Sequence, residues 1–187
     1  MRFTLTYRGP LRGGGNVAHK HEVRRALHPQ LKELWTHDPL AHKATEWLGR
    51  PSSASGAEIS ALREERSQRF AVVVQHQLRL VAELDILLLR PEAPGALIQR
   101  ADIDNRLKTL FDALRRPSLP QEVPADWSPS PDEEPLHCLL DDDRLITRVN
   151  IDTDRLLAPD SADDVELTIR VAIRASSPSY ASLLLVS

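Results

Sequence analysis

The chain has 187 residues, 41% hydrophobic and 27% charged, with a formal net charge of −3. This balance suits one globular domain, and no apolar run approaches the roughly 18 residues a membrane-spanning helix needs. The lone Cys138 excludes an intrachain disulfide; without a secretory layout in the opening residues, it points to a reducing, cytoplasmic setting and to a small buried hydrophobe.

The charge is uneven. Residues 1–100 carry 15 basic and 10 acidic side chains, whereas residues 101–187 carry 9 and 17. A nucleic-acid partner requires positive charge to meet phosphates, and here the first half supplies it. Arginine outnumbers lysine 20 to 4, which suits bidentate phosphate contacts and equally reflects genome base composition.

Along the chain, Phe3, Leu5 and Tyr7 alternate with polar neighbours, so Arg2–Arg8 reads as a strand. Gly9-Pro10 ends it, and Gly13-Gly14-Gly15-Asn16 reads as a flexible loop without the lysine of a phosphate loop. Val23, Leu27, Leu31 and Leu34 predict a helix over Val17–Trp35, broken or kinked after His28 by Pro29. Short helices are expected over Ala41–Leu48 and Ala57–Gln68, with a loop over 50–56 between them. Phe70–Val74 is a short β-rich run. Leu78–Leu89 is the strongest strand, with Leu78, Leu80, Ala82, Leu84, Ile86 and Leu88 on one face. Its other face starts polar and is expected to become buried at Leu87 and Leu89, before Pro91, Pro94 and Gly95 stop the strand.

The next helix runs from about Ile103 to Arg116. Leu107, Leu110, Phe111 and Leu114 form its apolar stripe, Asp104, Lys108 and Asp112 form a second stripe beside it, and Asp102 stands where an N-cap stands. Six prolines between Pro117 and His137 predict an irregular loop. Arg144–Asp152 and Val165–Ile173 alternate as strands, and Ala158–Ala162 suits the long turn of an antiparallel hairpin between them. The order predicts an α/β (α+β) fold, a mixed β-sheet with helices packed on it. It forms a single domain with its core over about 70–175, an N-terminal strand and helices over 1–69, and a Pro-rich insertion over 117–137.

Two acidic runs carry the chemistry. Asp102 and Asp104 flank Ile103 where loop becomes helix, so both carboxylates can point one way, stabilised by the helix N-terminus. Asp141-Asp142-Asp143 precedes a strand. Oxygen ligands of this kind suit a hard divalent cation, and Lys108, one turn after Asp104, suits a charged phosphoryl transition state. Taken singly, each feature has a structural reading: Asp102 as a helix cap, Asp104–Lys108 and Lys108–Asp112 as exposed ion pairs, Asp141–Asp143 as a turn. Together, so many like charges cost stability without a cation.

The stretch Asp102-Ile103-Asp104-Asn105-Arg106-Leu107-Lys108, ending in Asp112-Ala113-Leu114, resembles the signature of the RusA-type Holliday-junction endonucleases. Asp141-Asp142 is similar to that family's second motif, and the resemblance covers about Leu78 to Ile173. It implies Asp102, Asp104 and Asp142 as metal ligands with Asp141 nearby, Lys108 as catalytic lysine, Mg²⁺ (or Mn²⁺) as cofactor, and a homodimer acting on branched DNA. Asn105 matches the family's asparagine. The Pro-rich insertion, the longer N-terminus and the acidic charge depart from the family, and they motivate the alternative of a non-catalytic nucleic-acid- or protein-binding module that keeps the fold.

A strand–helix–strand crossover normally leaves its strands parallel. Asp104 and Asp142 would then sit at opposite ends of a 14-residue helix about 21 Å long. Either the Pro-rich loop reverses the strand direction or Asp142 comes from a second subunit. Arg100, Arg106, Arg115 and Arg116 surround the acidic helix as DNA-backbone contacts or as solvated faces. His19-x-His21 lacks matching metal ligands, and Trp35, Trp47 and Trp127 read as core or loop anchors.

Overall fold

The eleven-residue strand Leu80–Arg90 is the centre of the molecule, because its alternating Leu80, Ala82, Leu84, Ile86 and Leu88 must be covered on one face. The computed structural model describes residues 1–49, 59–92 and 102–177, with Asp102 described by its backbone alone. The elements in chain order are β1 (Arg2–Pro10), α1 (Val17–Glu33), α2 (Ala41–Trp47), β2 (Leu62–Glu65), β3 (Gln68–Val74), β4 (Leu80–Arg90), α3 (Asp102–Leu114), β5 (Leu136–Leu140), β6 (Ile146–Arg155) and β7 (Asp164–Ala175). The α+β class is as expected, but the strands form two sheets. One has the order β1-β7-β4-β6 and the other β2-β3-β5.

In the larger sheet β1 and β7, and β7 and β4, pair antiparallel, whereas β4 and β6 pair parallel from Ala82↔Ile146 to Arg90↔Arg155. α3 is therefore the crossover between two parallel neighbours. One hydrophobic cluster joins the inner face of this sheet to Val23, Leu27 and Leu31 of α1 and to Ile103, Leu107, Leu110 and Leu114 of α3. Leu5, Trp35 and Trp47 belong to the same cluster, so the N-terminal segment and the centre of the chain share one core. No helix among the described residues is long and apolar enough to cross a membrane.

Several expectations are corrected. Pro29 lies inside α1 and does not break it. His28 Nε2 donates to the Asp132 carbonyl at 2.9 Å, its Nδ1 accepts from His137 N–H at 2.8 Å, and Gln30 bonds both N–H and C=O of Thr6. These contacts hold the helix on both sides of the proline. The charged helix expected over Ala57–Gln68 is a β2–β3 hairpin where it is described. Arg66 and Ser67 both take positive φ, 50° and 60°, the turn geometry usually marked by Asn-Gly.

The Pro-rich segment is irregular as far as Pro135, but the chain then enters β5, which was not expected. All five of its residues, Cys138 among them, are buried because β3 pairs beside it in parallel. β6 and β7 do not form a hairpin, since β4 lies between them. The outer face of β4 stays open, with Leu87 40% exposed, because no element among the described residues covers that side of the sheet. The stops expected at Pro94 and Gly95 and the loop over 50–56 lie outside the described residues.

Within the glycine loop, Gly13 and Gly14 are exposed and Gly15 alone is packed. Gly15 N–H donates to Thr109 Oγ1, and a Cβ built on Gly15 would lie 2.7 Å from the His19 ring and 3.0 Å from Thr109 Cγ2. The His19 ring is buried and pinned by Arg12 N–H, so it has little room to move. Gly15→Ala is expected to lower the unfolding free energy by about 1–3 kcal/mol in urea titration.

Burial pushes His137 down to about 3 and His21 down to about 4 from the ordinary imidazole value. Both rings are neutral in the folded state and bind protons on unfolding. The stability they contribute is complete above about pH 6.5 and is lost as pH falls towards those values, by up to about 1.4 kcal/mol per pH unit per ring. Urea midpoints measured from pH 7 to pH 4 should fall monotonically, and His137→Phe should flatten the slope.

Candidate functional site

α3 carries its polar residues on two flanks. Arg106, Thr109 and Asp112 are buried and turn towards the segment from Leu11 to Arg24. Arg106 donates to the Leu11 carbonyl at 2.8 Å and lies near Asp163 and Glu92. Asp112 accepts from Lys20 Nζ at 2.6 Å and from Arg115 at 3.2 Å. Arg24, 3% exposed, crosses from α1 to donate to the carbonyls of Asp112 and Arg115, caps that leave few orphan acceptors at the end of α3.

Asp104 and Lys108 lie on the other flank, one turn apart and exposed. Neither has an ion-pair partner among the described residues, so the Asp104–Lys108 and Lys108–Asp112 pairs allowed by spacing do not form. Asp112 is drawn away from Lys108 because it turns to α1, where Lys20 reaches it. Asp104 lies in the first turn, where the helix N-terminus favours negative charge. Asn105 is exposed beside it, and its carbonyl accepts from Thr109 Oγ1.

Asp141, Asp142 and Asp143 lie beyond the C-terminal end of the same helix, where β5 meets the turn into β6. Arg116 N–H donates to the Leu140 carbonyl, and Asp141 N–H to that of Val74. The Asp141 carboxylate accepts from Arg116 Nε and lies 3.5 Å from Arg63 Nε. Asp142 accepts from the backbone N–H and guanidinium of Arg144, bonds that hold its carboxyl well below the usual carboxylate range. Asp143 is exposed. Together with Arg115, Ser118 and Arg144, the three aspartates line an open depression of about 190 Å³.

The two acidic segments thus occupy opposite ends of α3. From Asp104 to Leu114 the helix rises about 15 Å. Among the described residues no three His, Cys, Asp or Glu side chains come close enough to share an ion. The donor chemistry fits a hard divalent cation, but the placement within one chain does not. Of the two arrangements left open by the sequence, reversal of the strand direction is ruled out by the parallel pairing of β4 and β6.

The arginines read as DNA contacts are engaged within the fold. Arg106 is buried, a position that removes it from any surface; Arg115 is held by Glu122 at 2.7 Å and Arg116 by Asp141. Arg100 lies outside the described residues. His19 and His21 do not converge on a metal. His19 accepts from Arg12 N–H, and His21 stacks edge-on against Trp127 at 4.3 Å. Sequence reasoning missed Arg63 and Lys20, whose partners lie far away in the chain; it also passed over Arg144, whose contact is local and was legible.

No family model, no curated protein and no solved structure matches this chain.

The half-buried Arg116–Asp141 pair links α3 to β5, whereas Arg144 reaches Asp142 from solvent. Arg116→Ala is expected to cost about 1–3 kcal/mol of unfolding free energy, because it leaves the half-buried Asp141 carboxylate with Arg63 at 3.5 Å as its remaining cation. Arg144→Ala should leave the urea midpoint where it is.

Proposed function

We propose that the chain is a metal-dependent endonuclease for branched DNA such as four-way junctions. It acts as a homodimer in which Asp102 and Asp104 of one copy work with Asp142 of the other. One observation carries the reading. α3 leaves Asp104 and Lys108 exposed on a single flank, with no ion-pair partner among the described residues, although neighbouring cations and acids of the same helix are consumed by the fold. A lysine with acids four residues away on both sides normally pairs with one of them, and here it pairs with neither.

The roles follow from the residues themselves. Lys108 presents a compact ammonium one turn from Asp104, placed to neutralise charge growing on a phosphate oxygen. Asp142 remains ionised through the bonds it accepts from Arg144, and Asp104 lies in the first turn of α3, where the helix N-terminus favours negative charge. Asp141, already engaged by Arg116, positions the acidic turn and does not act as a ligand. A Mg²⁺ or Mn²⁺ ion bound by such carboxylates supplies Lewis acidity and a water of lowered pKa.

A second reading has an observation of its own. The acidic segments are separate within one chain, and Asp141 is engaged, as expected of a module that keeps the fold and binds DNA or protein without cutting it.

Junction cleavage separates the two. Purified protein should cut a synthetic four-way junction with Mg²⁺ and not with EDTA, and Asp104→Asn and Asp142→Asn should each lose about a hundredfold or more in rate. Mixing these two variants should restore cutting, because a mixed dimer holds one site with both native aspartates. Absence of cutting at every Mg²⁺ and Mn²⁺ concentration would favour the binding module, and failure of the mixture to recover would refute the shared site.

A further inference from the structure

The four-stranded sheet ends in two edge strands that are treated differently. On β1, Gln30 of α1 accepts from Thr6 N–H at 2.9 Å and donates to the Thr6 carbonyl at 2.7 Å, covering the edge. β6 has no such cover among the described residues. Leu156 N–H donates to the Arg90 carbonyl, so even-numbered residues of β6 bond towards β4, and the N–H and C=O groups of Val149, Ile151 and Thr153 point outwards. Val149, on the face that carries the core, is 39% exposed for want of a neighbour.

We propose that this edge receives a second copy of the chain, β6 against β6 antiparallel, about a two-fold axis normal to the sheet at Ile151. The side chains select the register. With the axis at Ile151, Val149 faces Thr153 of the partner subunit and the two Ile151 side chains meet, a run of β-branched pairs on the inner face. On the outer face Arg148 opposes Asp154 of the partner subunit, and Asn150 opposes Asp152 of the partner subunit. Centring on Thr153 would set Asp152 against Asp154 of the partner subunit, like charges face to face. Centring on Val149 would shorten the ladder.

This assembly has a consequence for the site. An axis normal to the sheet keeps both copies of α3 on one face and makes them antiparallel. Arg106, Thr109 and Asp112 turn towards α1, so the flank bearing Asp104 and Lys108 turns towards the β6 edge. Asp104 and Lys108 of each copy then come alongside Asp142 of the partner subunit. That the pairing completes a catalytic site rests on the nuclease reading above; the pairing itself rests on the edge alone.

Sedimentation equilibrium and cross-linking test the edge without reference to activity. The wild type should sediment as a dimer, and Ile151→Cys should be joined in high yield by a short bis-maleimide. Cys138 is fully buried and does not compete, and Thr6→Cys on the covered β1 edge should not cross-link. Arg148→Asp should weaken the dimer by about tenfold or more, and adding Asp154→Arg should restore it, a rescue specific to this register. A monomeric wild type, a dimer in which Ile151→Cys does not cross-link, or a charge swap without rescue would overturn the proposal. Cross-linked dimers that cut no junction would uphold the assembly and remove the nuclease reading; junction cutting without the Ile151 cross-link would do the reverse.

Discussion

The parallel pairing of β4 with β6 constrains everything else in this molecule. Two parallel neighbours require a crossover, and that crossover carries α3 back from the end of β4 towards the end where β6 begins. The acids that open the helix and those that precede β6 are therefore held a helix length apart. Local adjustment cannot close that gap, because Leu107, Leu110 and Leu114 anchor α3 to the same core as Leu84 and Ile86. Any chemistry that needs both acidic segments must recruit a second chain.

The same helix shows how a fold divides its charges between structure and surface. Arg24 enters the core to cap the C-terminal carbonyls of α3, Lys20 takes Asp112, and Glu122 takes Arg115. Each removes a charge that sequence spacing had left available. Burial makes these contacts worth keeping, since a stranded buried charge costs far more than an exposed pair contributes. The side chains left over, Asp104 and Lys108, are exposed on a flank that no element among the described residues covers. Their freedom carries weight because most of their neighbours have none.

Much of the fold was legible residue by residue. Period-two alternation located β1, β4 and β7, and the 3.6-residue spacing of Leu107, Leu110 and Leu114 located α3. The failures share one physical cause. β5 has no alternation because both its faces are buried, the β2–β3 turn uses Arg66 and Ser67 where a glycine would have announced it, and α1 passes through Pro29 because distant groups from Asp132, His137 and Thr6 hold it. In each case a contact remote in sequence outweighed a local preference.

By itself, the sequence determined the α+β class, the apolar faces of the main strands and of α3, and the identity of two acidic segments with a lysine between them, since these follow from side-chain periodicity and from spacing along a single helix. Only the tertiary structure decided that the strands divide into two sheets, that Asp112 and Arg106 belong to the interior, and that the acidic segments stand at opposite ends of α3. Those outcomes depend on which strands become neighbours and in which direction, and strand neighbours are chosen by burial summed over the whole chain.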